Sequence, residues 1–273
     1  MNVAFAIAMP DFRNRILAAL PGSELERITP HLELIALETG MVAYDPERPI
    51  SHVYFVETGV ISIVSLMADG SAIETATIGN EGMIGIALFH GVDTATEQAF
   101  VQVPGEGYRM SAAAFREVIA ECPTLQRLLH RCSLALFTFA AQCSGCNRVH
   151  TMEQRCARWL LMVHDRIVGD EFHLTQHFLS QMLGVRRATV SETASELQKA
   201  GLIRYVRGRV TVIDRAGLER ACCECYGIIT SAFARILEQR RVPSPLEELT
   251  ISEGGKSIAG EGAPTVPHTV DAQ

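Results

Sequence analysis

The sequence predicts an α+β protein with three parts: an N-terminal unit of short antiparallel strands, a long helix, and a C-terminal winged helix-turn-helix. Three observations predict it. Between about residues 35 and 110, short apolar or alternating runs recur between turn dipeptides. From 124 to 149, apolar residues repeat with heptad spacing. Residues 174–214 hold two short helical patterns around a glycine, then two short β runs around a basic turn.

Composition sets the outer bounds. In 273 residues, 48% are hydrophobic and 20% charged, which supports a sizeable core and excludes wholesale disorder. No apolar run approaches the roughly 18 residues of a membrane-spanning helix. The opening MNVAFAIAMP lacks a basic start and a small-residue cleavage site, so it reads poorly as a signal peptide. Eight cysteines without an export signal imply a reducing cytoplasm. The net charge is −7, yet residues 184–211 carry Arg186, Arg187, Lys199, Arg204, Arg207 and Arg209 against only Glu192 and Glu196. A basic island in an acidic chain is what a phosphate backbone would select.

Residues 11–20 read as a short helix closed by Pro21-Gly22. Strand-like runs follow at 41–44, 52–56, 60–66, 71–78, 98–103 and 107–110, separated by Asp45-Pro46, Thr58-Gly59, Asp69-Gly70, Gly79-Asn80 and Pro104-Gly105. Asp69-Gly70 is a hairpin signal. Regularly spaced short strands indicate a sandwich, barrel or roll. Ser111 N-caps a helix over 112–121, and Pro123 opens the next.

In that next helix Leu125, Leu129, Cys132, Leu136, Phe139, Cys143 and Cys146 are spaced by alternating fours and threes, and residues 124–149 would span about 39 Å. Such a seam meets another helix, here the same helix of a second copy; packing on the chain's own β unit is the alternative. Residues 153–167 are amphipathic, with Cys156, Trp159, Leu160 and Val163 on a core face. Beyond Ser244 the sequence turns rich in Pro, Gly, Ser and Thr, the composition of a disordered tail.

Within 174–214, Thr175 N-caps a helix that buries Phe178, Leu179 and Leu183. Gly184 makes the turn, and Arg187 opens a second helix with Val190, Ala194 and Leu197 inward and Gly201 as C-cap. Residues 203–205 and 210–213 flank Arg207-Gly208-Arg209 as a wing. The outer face of the second helix carries Arg187, Ala188, Ser191, Glu192 and Ser195, with Arg186 and Arg187 at the end that enters a major groove. Arginine pairs bidentately with guanine, and glutamate accepts from cytosine. Thr175, Gln176, Thr189 and Lys199 suit phosphate contacts that fix register, and Arg207 and Arg209 suit phosphates beside the wing. The plainer reading is a helical hairpin with a solvated charged face.

Other chemistry-bearing residues carry less. Cys143 and Cys146 form a C-x-x-C on the seam, read as packing, with an interchain redox switch as the alternative. Cys222, Cys223 and Cys225 crowd together without a second ligand pair at zinc-finger spacing, so no metal is expected. His173 and His177 lack the glutamate of HExxH and read as structural or phosphate-near. No nucleophile elbow, Walker loop or dinucleotide fingerprint is present, so no enzyme is expected.

FLSQMLGVRRATVSETASELQKAGLI and HVYFVETGVISI, together with the heptad helix between them, resemble the Crp/Fnr superfamily of bacterial transcription regulators over roughly residues 15–220. The resemblance implies a cyclic-nucleotide-binding-like sensor β-roll (double-stranded β-helix) over 15–118 and a dimerisation helix over 119–149. It implies a DNA-binding domain over 150–220; a C-terminal helix over 221–240 and a tail over 241–273 complete the division. It also implies a cytoplasmic homodimer on a palindromic operator of double-stranded DNA, working with RNA polymerase. Arg187 matches the arginine that opens the family's recognition helix. Ala188 stands where many relatives carry a base-reading glutamate, and Glu192 where many carry a second arginine, so the operator departs from the best-known consensus. Cyclic-AMP binders use a Gly-Glu pair for ribose and an Arg-Ser pair for phosphate. This chain has Gly85-Ile86 and Thr96-Glu97-Gln98-Ala99, so cyclic AMP is not the expected effector, and the effector is unknown. Iron–sulfur members carry N-terminal cysteines, whereas the first cysteine here is Cys122. Three functions stay open: a DNA-binding regulator, a ligand-gated form of it, and a β-roll interaction module with a vestigial helix-turn-helix.

Overall fold

The computed structural model describes residues 11–238. The opening decapeptide and the tail over 241–273 lie outside the described residues, as does the end of the 221–240 segment.

Two short helices come first, α1 (Arg15–Ala18) and α2 (Gly22–Ile28), followed by a 3-10 turn at Thr29–His31. The Asn14 side chain caps α1 by accepting from Ile16 N and Leu17 N at 3.1 and 3.2 Å. Sequence reasoning did not foresee α2, because Pro21-Gly22 was read as a stop. Pro21 instead precedes the helix and serves as its N-cap.

Strands β1 (Glu33–Leu37), β2 (Val42–Tyr44), β3 (His52–Leu66), β4 (Ala72–Ile78), β5 (Met83–Ile84) and β6 (Gln98–Ser111) form one antiparallel sheet. Its order is β1-β6-β3-β4, with β2 on β6 and β5 on β3. Helix α3 (Ile86–Phe89) lies between β5 and β6. Two runs expected as separate strands are continuous in β3, and two more in β6. The breaks at Thr58-Gly59 and Pro104-Gly105 are irregularities inside the strands, where the register shifts. Backbone crowding explains the glycines. A Cβ on Gly59, whose φ is +91°, would sit 2.6 Å from Val103 O, and one on Gly105 would sit 2.1 Å from Thr58 O. The strands therefore bend past each other at a glycine–glycine contact rather than stopping.

Ser111 caps α4 (Ala112–Ile119), as expected. The long helix α5 (Pro123–Val149) begins at Pro123, and the Glu24 carboxylate of α2 accepts from Thr124 N and Leu125 N at 2.9 and 3.0 Å. A carboxylate there satisfies two orphan donors and complements the helix dipole. Beyond it come α6 (Met152–His164), β7 (Glu171–His173), α7 (Gln176–Met182), α8 (Arg187–Lys199), β8 (Ile203–Val206), β9 (Arg209–Val212), α9 (Arg215–Ala221) and α10 (Cys225–Ala234). A capping box between Thr151 and Gln154 opens α6.

The seam of α5 corrects an expectation. Leu125, Leu129, Cys132, Phe139, Cys143 and Cys146 are buried within their own chain, and Leu136 is half-buried. They are core residues and are not on offer to a second copy. Their cover is the β unit and, unforeseen, α10, whose Phe233 meets Phe139 edge-to-face at 6.2 Å, except that Cys146 packs against Cys223 and Cys225. The large apolar residues that α5 leaves exposed along its length are Leu134 (64% exposed) and Phe137 (71%), with Val149 at its end. Burial of Cys143 and Cys146 likewise removes the interchain disulfide.

A buried polar seam joins the sheet to α6. Trp159 Nε1 donates to Glu74 Oε1 at 2.9 Å, and Ser62 Oγ donates to Glu74 Oε2 at 3.0 Å. Burial pushes the Glu74 carboxyl up to about 7, against these hydrogen bonds and the charges of Arg158 and Arg166. Arg166, just past α6, pairs with Glu81 at 2.7 Å with both side chains buried. Phe100 of β6 meets Phe178 of α7 edge-to-face at 5.8 Å.

Candidate nucleic-acid interface

Helices α7 and α8 form the expected helix-turn-helix. Thr175 Oγ1 accepts from Phe178 N at 3.1 Å, the N-cap bond of α7. The turn closes through Gly184, whose φ is +63°, and Val185 N donates to Ser180 O at 2.9 Å. Val190, Ala194 and Leu197 of α8 are buried. At its C-terminus, Gly201 takes a φ of +74° while Gly201 N and Leu202 N donate to Gln198 O and Leu197 O, a Schellman closure.

The wing is the β8–β9 hairpin, paired Val206↔Arg209 across Arg207 and Gly208 at positive φ, 49° and 77°. Two left-handed residues match the twist of a two-residue hairpin. β9 also pairs with β7, so the hairpin stands on a three-stranded sheet.

Between α7, the start of α8 and the wing lies an open groove of about 660 Å³, lined by His173, Thr175, Gln176, His177, Arg187, Tyr205, Arg207 and Gly208. The fold thus gathers six expected or discussed polar positions onto one face, and it adds Tyr205, which sequence reasoning missed. The Tyr205 hydroxyl donates to Leu174 O at 2.6 Å, and burial pushes it up to about 12, so it is a neutral phenol. Arg186, Arg187, Glu192 and Lys199 are exposed; Thr189 is half-buried.

Two expected contacts are engaged elsewhere. Ser191 Oγ donates to Gln176 Oε1 at 2.7 Å, fastening α8 to α7. Arg209 pairs with Glu171 at 2.9 Å, and that hydrogen bond holds the Glu171 carboxyl below its ordinary range. Arg207, which caps the hairpin, is the wing arginine nearer the groove.

In the β-roll, Gly85 adopts a φ of +91° and opens α3, so Ile86 holds the first helical position. Glu97 lies near Tyr44, and Gln98 Nε2 donates to Asp45 Oδ1 at 2.7 Å. Arg109 is held by Glu33 through two bonds of 2.8 and 2.9 Å. Arg131 donates to the Ile236 and Glu238 carbonyls.

The expectation of no metal group rested on the lack of a second ligand pair near Cys222, Cys223 and Cys225. The fold supplies one from far away in sequence. Cys146 and His150, at the end of α5, bring their ligand atoms within 4.8 Å of one another and of those of Cys223 and Cys225. Cys222 stays outside, donating to Glu219 O at 3.3 Å. A helical i, i+4 pair read against a C-x-C was the available signal.

A β-roll joined through one long helix to a winged helix-turn-helix is the architecture of a two-domain class of transcription regulator. The comparisons agree. A cyclic nucleotide-binding domain model matches residues 35–122 and a Crp-like helix-turn-helix domain model matches 154–221, together more than half of the chain. The protein belongs to the Crp/Fnr family of transcription regulators. It is 26% identical over 220 residues to the transcriptional regulatory protein btr of Bordetella pertussis, covering 74% of this chain and 86% of that one. FixK2 of Bradyrhizobium japonicum superposes with a TM-score of 0.60 at 17% identity, over 70% of this chain and 98% of that one. The regulator CLP of Xanthomonas campestris does so with 0.55 at 17%, over 70% and 99%. At these identities the structural likeness speaks to the fold. No helix among the described residues is long and apolar enough to cross a membrane.

Proposed function

We propose that the protein is a sequence-specific regulator that binds a pseudo-palindromic operator of double-stranded DNA as a homodimer in the bacterial cytoplasm, and works with RNA polymerase. The observation that carries this reading is the groove joining Arg187 at the head of α8 to Arg207 on the wing. Arg186 and Arg187 reach base edges, Glu192 reads a cytosine, and Thr175, Thr189, Lys199 and Arg207 hold phosphates. Gln176 and Ser191 act as a unit that sets the angle of α8, and Arg209 is a phosphate contact discounted by Glu171.

Dimerisation uses the outer face of α5, centred on Leu134 and Phe137, since the heptad seam is core. The β-roll senses a signal other than cyclic AMP. Ile86 offers no acceptor for a ribose hydroxyl, and Asp45 and Glu97 oppose a phosphate. Arg109 and Arg131, two arginines of the β unit and α5, already have partners. The Xanthomonas relative is described as responsive to c-di-GMP, so the fold is used with other ligands. Selection of bound sequences from random duplex DNA tests the proposal. A two-fold-symmetric site with half-sites about one helical turn apart supports it, and retention that is salt-dependent but sequence-independent refutes it.

A further inference from the structure

We propose that Cys146, His150, Cys223 and Cys225 form a closed tetrahedral site for one thiophilic divalent cation of the zinc class. The site would clamp the end of the long helix to the segment between α9 and α10.

Its geometry carries the proposal. A zinc ion with bonds of about 2.3 Å to sulfur and about 2.0–2.1 Å to nitrogen requires tetrahedral edges of about 3.8 Å between sulfurs and about 3.6 Å from sulfur to nitrogen. Cys146 Sγ and Cys223 Sγ are 3.7 Å apart, and Cys225 Sγ is 3.5 Å from His150 Nδ1. The 3.7 Å separation is far from the roughly 2.05 Å of a disulfide. The three thiols are buried and form a cluster of their own, apart from both apolar cores. Four protein ligands leave no open position, which makes the site structural rather than catalytic.

The surroundings fit a bound cation as well. His150 presents Nδ1 to the cluster while its Nε2 lies 3.2 Å from Glu224 Oε2, the carboxylate–histidine arrangement that orients a metal-bound imidazole. Gln142 Nε2 reaches Cys225 Sγ at 3.1 Å, a donor aimed at a thiolate. Three thiolates and one divalent ion leave a charge of minus one. Arg158, 3% exposed, faces Cys143 and Cys146, and its Nε is among the buried atoms that lack a hydrogen-bond partner. Glu74 acts on Arg158 through its charge without forming a direct ion pair, and an anionic thiolate site beside the guanidinium offsets more of the cost of burying it.

The test uses the full-length chain, purified reduced and without chelators. Elemental analysis should find about one zinc per chain. Cys223→Ser and Cys225→Ser should lose it, while Cys222→Ser and Cys156→Ser keep it. After zinc removal, titration of the reduced protein with Co²⁺ alone should produce the visible bands of tetrahedral cobalt and a thiolate-to-cobalt charge-transfer band, both abolished by Zn²⁺. His150→Cys should keep cobalt binding with a shifted spectrum, which separates a lost ligand from a lost fold. Glu224→Gln should weaken binding by about 10–100-fold. Metal-free reduced protein without a tetrahedral cobalt spectrum would overturn the proposal. So would equal metal content in Cys225→Ser, or a Cys146–Cys223 disulfide mapped by mass spectrometry in place of metal.

Discussion

Glu81→Gln should be among the most damaging single changes that leave the apolar cores intact. Glu81 and Arg166 are 7% and 8% exposed. One carboxylate oxygen of Glu81 receives Arg166 Nη2 at 2.7 Å and Nε at 3.0 Å, and also Gly79 N at 3.1 Å. Thr77 and the Met162 carbonyl accept the remaining guanidinium donors. At an effective dielectric of about 20, opposite charges 2.7 Å apart attract by about 6 kcal/mol, most of which repays desolvation. Deleting one partner leaves the other charge buried and alone, which costs about 3–5 kcal/mol. Glu81→Leu combined with Arg166→Met should recover most of that loss, because neither charge then remains to be solvated. Trp159 is the only tryptophan and lies in the same joint, so its fluorescence reports urea unfolding there. A cost under about 1 kcal/mol for Glu81→Gln, or a double variant as unstable as the sum of the singles, would refute the reasoning.

Three further outcomes follow. Glu74 is raised from 4.5 to about 7, so the folded state binds a proton the unfolded chain does not, and stability should fall as pH rises from about 4.5 through about 7. Glu74→Gln should flatten that slope in urea midpoints measured across the range; an unchanged slope would show that the carboxyl is not the source. Leu134→Glu with Phe137→Glu should give a folded monomer in sedimentation, since each buried apolar side chain contributes about 1.5–3 kcal/mol to the interface; a persistent dimer would move the interface elsewhere. Arg187→Ala should weaken specific DNA binding by about 1–3 kcal/mol and relax one base position, whereas Arg207→Ala should weaken all sequences alike and reduce the salt slope by about one. Equal losses on specific and random DNA for Arg187→Ala would contradict its place at a base edge.

The winged helix-turn-helix half was legible because its signals are local. Gly184, Gly201 and Arg207-Gly208 each mark a backbone conformation that neighbouring residues predict, and the apolar spacing of α8 needs no distant partner. The strand breaks misled because Thr58-Gly59 and Pro104-Gly105 carry turn chemistry, yet each glycine answers to a backbone some 45 residues away. The seam of α5 was read correctly as a buried stripe and assigned to the wrong neighbour, since periodicity reports burial and not what does the burying. The Cys146–His150–Cys223–Cys225 cluster was invisible for the same reason: its two halves come from segments about 75 residues apart.

The packing of α10 on α5 also sets an order of assembly. Phe139 and Cys143 belong to the first large core, but Ile229, Phe233 and Ile236, which complete that core, are encoded after the entire winged helix-turn-helix. During synthesis the winged helix-turn-helix therefore emerges while the β-roll core still shows an apolar stripe. Domains tend to fold in the order they leave the ribosome. Here the first to start is not the first to finish. A nascent chain stopped after α9, which supplies Leu218 to the second core, would carry a complete winged helix-turn-helix beside an open first core, a species prone to chaperone capture.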